Sequence, residues 1–214
     1  MAANEKAGAP DCGLYIRIPD DFSVLSLVPQ LQQVILVTKR SQYKKNMHVI
    51  EWPAKAVGPD GIEHIAELVD YAQKGGFVSL VRNDASVAQS TKADGVLLDQ
   101  ITDVAPARAL LGEEKIIGLT CSVGEDVERV IELGLDYVAL PLDPQVIAKW
   151  STRADLPVLA DGDLTNNDVA TFVAAGATFL NSSDYIFNHP QGVMQGTVDM
   201  LYAIDLALEK RAAN

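Results

Sequence analysis

The chain is short of the residues that usually announce a compartment or a chemistry. Its two cysteines, Cys12 and Cys121, offer neither a disulfide framework nor metal-ligand spacing. A thiol-bearing cytoplasmic protein is therefore expected. The three histidines, His48, His64 and His189, read as a strand residue, a helix-surface residue and a loop residue. No apolar run approaches the roughly 20 residues that span a membrane. Met1–Pro10 is polar and lacks the apolar segment of a signal peptide. Residues 1–10 are expected to be a disordered tail ahead of a single domain over 11–210. Positive charge is scarce as well: 17 Lys and Arg stand against 29 Asp and Glu, a formal net charge of −12. Such a surface repels nucleic acid and anionic lipid, so neither is an expected partner. Nothing in the composition decides for or against a homo-oligomer.

What is abundant is apolar sequence, at 48% of residues, and it is ordered. Short apolar runs recur at Leu14–Ile18, His48–Trp52, Phe77–Val81, Gly95–Leu98, Ile116–Leu119, Tyr137–Leu140, Pro157–Ala160 and Ala177–Leu180. From the third onward their centres fall roughly 20 residues apart, enough for a strand, a helix and two tight loops. The intervening segments keep helical spacing. Ile62, Ile65, Ala66 and Val69 do so, as do Val127, Val130 and Ile131, then Val169, Phe172 and Val173. Gly112, Gly134 and Gly176 stand where helices should stop. Continuous apolar strands alternating with helices make a parallel sheet covered on its outer face. Eight such units predict a closed (β/α)8 barrel, the TIM-barrel fold, with an open doubly wound sheet as the alternative. Ser23–Gln42 is read as one long helix, although Val34–Val37 could form a strand of its own.

In such barrels the reactive groups lie at the C-terminal ends of the strands and in the loops that follow. Those positions here are mostly polar and acidic, and histidine is missing from them. Asn83-Asp84 follows the third run, and Gln100 and Asp103 follow the fourth. Lys55 sits after the second, Thr120 after the fifth, Asp161-Gly162-Asp163 after the seventh, and Ser182-Ser183 after the eighth. Plain structural duties also account for several of them. Asp84 and Asp103 suit helix N-caps, Asn83-Asp84 suits an Asx turn, and Lys55 suits a solvated loop.

The stretch ADGVLLDQITDVAPARALLGEEKIIG, Ala93–Gly118, resembles the fourth and fifth units of the thiamine phosphate synthase/TenI family. PVLADGDLTNNDVATFVAAGATFL, Pro157–Leu180, resembles its seventh unit running into the eighth strand. The likeness reaches back to Gly13–Tyr15 and forward to Phe187. It implies a reaction that joins hydroxymethylpyrimidine diphosphate to thiazole phosphate, with Mg2+ and cationic side chains drawing off pyrophosphate. It also implies roles. Asp84 would hold magnesium, with Asp103 as the second carboxylate although one residue late. Lys55, Asn83 and Thr120 would be catalytic, and Gln100, Gly162, Ser182 and Ser183 would bind substrate or phosphate. The ligands would be small phosphorylated pyrimidines and thiazoles.

The departures from that pattern matter. Pro53 stands where the family has an arginine of a Gln-Leu-Arg-x-Lys signature, which removes a bidentate phosphate clamp. Asp163 replaces the second glycine of a phosphate turn, and Asp161 flanks it. A carboxylate 4 Å from a phosphate charge costs about 4 kcal/mol at an effective dielectric near 20. After Leu140 the chain runs Pro-Leu-Asp-Pro, without the family's longer Thr-x-Lys loop; Lys149 belongs to the next helix. Two readings follow: a thiamine phosphate synthase, or a catalytically degenerate TenI-like barrel kept for binding or regulation. A sugar-phosphate isomerase or epimerase ranks below both, since the mouth loops carry no evident pair of catalytic bases.

Overall fold

The computed structural model describes residues 12–40, 46–55, 61–124 and 127–213, apart from the Ile62 side chain. The expected tail over 1–10 lies outside the described residues. Eight strands are present: β1 (Gly13–Arg17), β2 (Val49–Trp52), β3 (Val78–Arg82), β4 (Gly95–Leu98), β5 (Ile116–Thr120), β6 (Tyr137–Pro141), β7 (Val158–Asp161) and β8 (Phe179–Asn181). Each pairs in parallel with the next, and β8 returns to β1 through Leu14 and Leu180. The sheet is therefore closed, and the open doubly wound alternative falls.

Helices fill the crossovers: α1 (Val24–Thr38), α2 (Gly61–Lys74), α3 (Ala85–Ser90), α4 (Val104–Leu111), α5 (Val127–Ile131), α6 (Pro144–Arg153) and α7 (Val169–Ala174). A short α8 (Ser183–Phe187) and the long α9 (Val193–Ala212) close the chain. Val34–Val37 lies inside α1, as the helical spacing predicts. It ends at Thr38, short of the expected Gln42, which lies outside the described residues.

The alternation of side chains makes two cores. Outward residues such as Ile16, Trp52, Val96, Ile117, Leu140 and Leu180 are buried beneath the helices. Inward residues Tyr15, Val49, Leu80, Leu97, Tyr137, Ala139, Leu159 and Phe179 fill the barrel itself. Burial on both faces is why the strands read as unbroken apolar runs. Inside the barrel Gly118 leaves room for the Tyr137 ring: a Cβ there would stand 2.1 Å from Tyr137 Cε1. A large inward side chain, Tyr137, thus sits beside the smallest residue of the neighbouring strand.

The two ends of the barrel differ. At the N-terminal end of the strands an apolar cavity of about 110 Å³ lies among Tyr15, Met47, Val49, Val78, Phe179 and neighbours. At the C-terminal end the inward rows of seven strands finish on a polar or charged residue (Arg17, Glu51, Arg82, Asp99, Thr120, Asp161 and Asn181), and that of β6 finishes on Pro141. Among the described residues no helix is long and apolar enough to cross a membrane. Cys12 and Cys121 are both buried thiols, and Cys121 Sγ points to the Leu119 carbonyl at 3.7 Å.

Candidate functional site

The mouth is organised around a carboxylate that no solvent reaches. Glu51 ends the inward row of β2 and its side chain is 0% exposed. Its neighbours across the sheet are Arg17 on β1, in register with it, and Arg82 on β3. Arg17 Nε donates to Glu51 Oε1 at 2.9 Å, and its Nη2 donates to Oε2 at 3.1 Å. Arg82 Nε also donates to Glu51 Oε1. Arg17 Nη2 reaches Asp161 Oδ2 at 2.9 Å, and Arg82 Nη1 reaches Asp20 Oδ1 at 3.0 Å. Burying a charge this deep is costly unless charge-assisted hydrogen bonds compensate it. Burial acts to lower the Arg17 pKa, but the adjacent Glu51 and then Asp161 outweigh it. The guanidinium is held above its ordinary range.

Two phenols extend the network down into the barrel. Tyr15 Oη donates to Glu51 Oε2 at 2.6 Å and lies 3.2 Å from Tyr137 Oη. Tyr15 has one hydroxyl hydrogen and gives it to the carboxylate, so Tyr137 is the donor in the second bond. Burial, followed by the charge on Glu51, pushes both phenols well above their ordinary pKa. On the far side Asp161 Oδ1 accepts from Asn181 Nδ2 at 2.8 Å. Asn181 Oδ1 in turn accepts the Ser183 hydroxyl at 2.6 Å.

A second cluster joins two of the residues singled out from the sequence. Asn83 adopts a left-handed backbone, φ 55°, directly after β3. Its Oδ1 accepts from the Asp99 N–H at 2.8 Å and its Nδ2 donates to Asp99 Oδ2. Thr120 Oγ1 donates to Asp99 Oδ1 at 2.9 Å. Asp99 thus ties Asn83 to Thr120 across three strands. Next to them, Asp84 caps α3: its Oδ1 accepts from Val87 N–H at 3.0 Å and from Ser86 Oγ at 2.7 Å. Partial burial would raise the Asp84 pKa. The Val87 and Ser86 hydrogen bonds and the charge of Lys55 reverse that and lower it. Lys55 itself is exposed.

The other expected site residues separate. Gln100 is exposed ahead of a single 3-10 turn, Ile101–Asp103. Asp103 is exposed too, stands at the start of α4 without capping it, and accepts only a long bond from Thr102 Oγ1, at 3.4 Å. Ser182 is fully buried, with its N–H on the Tyr15 carbonyl and its hydroxyl on the Leu180 carbonyl. Ser183 Oγ accepts from the Arg17 N–H at 2.7 Å, while its own N–H donates to Asn181 Oδ1 at 3.2 Å. Both N–H groups after β8 are thereby engaged within the chain. Among the described residues no group of three or more His, Cys, Asp or Glu is placed to hold a metal ion.

A cavity of about 350 Å³ opens over this mouth, lined by Arg17, Pro19, Arg82, Gly162, Asp163, Asn181, Ser183, Asp184, Phe187 and Asn188. Gly162 and Ser183 are the expected residues that line it. Gly162 has φ +151°, and a Cβ there would stand 2.7 Å from Leu142 Cδ1, so glycine is required twice over. Arg17, Glu51, Arg82, Asp99 and Asn181 stand at the strand ends where reactive groups are expected, but the sequence assigned them no role. The signal was present in strand parity. Tyr15 to Arg17, Val49 to Glu51, and Leu80 to Arg82 are each two residues apart, so the polar member shares the inward face one layer nearer the mouth.

Comparison with known proteins places the chain in a family. The family model described as Thiamine monophosphate synthase matches residues 41–183, about two thirds of the chain. A thiamine-phosphate synthase of Rhodospirillum centenum is 26% identical over 205 residues, covering 88% of this chain and 96% of that protein. One of Hyphomonas neptunium is 32% identical over 142 residues, covering 59% of this chain and 64% of that protein. Among solved structures, thiamine phosphate pyrophosphorylase from Pyrococcus furiosus superposes with a TM-score of 0.73 at 15% identity. That match covers 92% of this chain and 96% of the other, and it bears on the fold alone. The chain belongs to the thiamine monophosphate synthase family.

Proposed function

We propose that this chain is a binding member of its family: its mouth takes a pyrimidine or thiazole ring of the thiamine-precursor class without coupling the two. One observation carries the reading. Both arginines of the mouth are engaged by carboxylates, Arg17 by Glu51 and Asp161 and Arg82 by Glu51 and Asp20. Withdrawal of pyrophosphate needs positive charge at the leaving group that is not already neutralised. Asp163 and Asp184 add further negative charge to the same cavity. A ring without a diphosphate meets no such penalty, and Phe187 and Pro19 offer it apolar surface.

A second reading, coupling of hydroxymethylpyrimidine diphosphate to thiazole phosphate, is favoured by Asp84 beside Lys55. Asp84 keeps its charge, and only its Oδ1 is committed to the helix cap. Mg2+ commonly takes one or two carboxylates and completes its shell with substrate phosphates and water, so a single carboxylate fits that role. Asp84 would hold the ion, with Asp103 as the second candidate ligand, and the ion would supply charge to the leaving pyrophosphate. Lys55 would face the same phosphates. Asn83 and Thr120, linked through Asp99, would orient the rings, and Gln100 would contact substrate.

Isothermal titration with the unphosphorylated pyrimidine and thiazole and with pyrophosphate plus Mg2+, then a coupling assay with both phosphorylated precursors and Mg2+, separates the two readings. Binding of the unphosphorylated rings without turnover is expected. Turnover, or saturable binding of pyrophosphate with Mg2+ at millimolar ligand, transfers the case to the synthase.

A further inference from the structure

We propose that Glu51 sets the charge selectivity of the mouth, holding the guanidinium groups of Arg17 and Arg82 to one buried carboxylate and so excluding diphosphates. The inference rests on the mouth being the ligand site, and it names the residue that decides which ligands enter.

The geometry is specific. An arginine grips a phosphate with two parallel N–H groups, usually from one edge of the guanidinium. The Nε–Nη2 edge of Arg17 already lies on the two oxygens of Glu51. Glu51 thus occupies the edge by which Arg17 would grip a phosphate. Arg82 is committed at all three nitrogens: Nε to Glu51, Nη1 to Asp20 and Nη2 to the Ile18 carbonyl. Among the described residues, Nη1 of Arg17 is the nitrogen of this pair that makes no hydrogen bond.

Three features make the arrangement a selective device rather than a surface ion pair. Glu51 is wholly buried, whereas Arg17 and Arg82 are 29% and 22% exposed and line the cavity. The negative charge is therefore behind the cationic groups, out of reach of solvent screening, and it cannot swing away. Tyr15 fixes the carboxylate from below with a 2.6 Å bond and is itself held by Tyr137. Finally, Asp161 repeats the neutralisation of Arg17 from the opposite wall. A diphosphate gripped by the Nε–Nη2 edge of Arg17 or by Nε of Arg82 would have to displace Glu51 and leave a buried carboxylate without its cations.

The test is titration of the full chain with inorganic pyrophosphate and with inorganic phosphate, without metal, at low and high salt. The wild type is expected to give no saturable heat with pyrophosphate at millimolar ligand. Glu51→Gln keeps the shape and removes the charge. It should bind pyrophosphate at least tenfold more tightly than the wild type, with a smaller gain for phosphate and loss of the gain at high salt. Asp161→Asn releases Arg17 from one carboxylate only and should show a smaller gain of the same sign. Circular dichroism checks that each variant is folded. Micromolar binding of pyrophosphate by the wild type overturns the proposal, and so does a folded Glu51→Gln with wild-type affinity. If Glu51→Gln fails to fold, Asp161→Asn decides: a gain supports the proposal and unchanged affinity overturns it. Because no metal or coupling partner is present, the outcome is independent of whether the chain turns over substrate.

Discussion

Tyr137 gives its phenolic hydrogen to Tyr15 across 3.2 Å in the middle of the barrel. Tyr15 passes the polarity on to Glu51 at 2.6 Å, so two neutral side chains connect the apolar half of the interior to the charged mouth. Hydroxyls in such a chain polarise one another, and a carboxylate at the end strengthens each bond above it. The chain also explains how a charge is tolerated one layer above Leu80 and Leu159.

Tyr15→Phe removes the lower partner of Glu51 and leaves Tyr137 without its acceptor. A hydrogen bond to a charged group contributes about 1.5–3 kcal/mol. Urea unfolding should show a loss in that range. Tyr137→Phe, which removes only the neutral link, should cost less. Equal losses in the two variants would contradict the donor order.

Alkaline titration should find Tyr15 and Tyr137 resistant to ionisation. Their folded pKa lies above the unfolded value, so folding favours the protonated form. The sign follows: their contribution to stability is complete below the ordinary phenol pKa of about 10 and is lost as pH rises through the folded values. Phenolate absorbance should leave two tyrosines untitrated until the chain unfolds, and stability should decline above about pH 10. Ionisation of Tyr15 and Tyr137 at the ordinary phenol pKa in the native chain would be inconsistent with this network.

Asp84 is both a helix cap and the candidate magnesium ligand, and two substitutions divide the roles. Asp84→Asn retains a good N-cap and should leave thermal stability near wild type, while Asp84→Ala should lose about 1 kcal/mol. If the chain couples precursors through Mg2+, both variants should abolish turnover. The Asp84 pKa is lowered in the fold, so its stabilising contribution is present above the ordinary carboxylate value and disappears as pH falls through the folded one. The stability difference between wild type and Asp84→Ala should therefore shrink in acid.

Gly118→Ala drives a methyl group into the Tyr137 ring, 2.1 Å from Cε1. Overpacking of this kind costs about 1–3 kcal/mol. Because Tyr137 must move, the Tyr15 bond should weaken too, and the variant should lower both the melting temperature and the alkaline resistance of the buried phenols. Gly124→Ala meets nothing within 4 Å and serves as the control.

All eight strands were legible because burial on both faces leaves apolar runs that polar loops interrupt, and each run lies within two residues of an observed strand. Closure was legible from the number of units. The capping role of Asp84 could be expected from local chemistry, since an Asx side chain bonds nearby backbone; the bond between Asn83 and Asp99, 16 residues apart, could not. The family resemblance rested on the same local stretches.

The assembly of the mouth was a different matter. Arg17, Glu51, Arg82 and Asp161 come from strands β1, β2, β3 and β7, and the Arg17–Asp161 contact joins residues 144 apart in the chain. Taken singly, each is a charged residue at a strand end, a position that is usually solvated. Only closure of the sheet brings β7 and β1 to one lumen and links four charges into one cluster around the buried Glu51. Sequence by itself determined the barrel, because apolar periodicity is a local property of the chain. Tertiary structure decided that the arginines of the mouth face carboxylates, because charge neutralisation depends on which strand ends meet.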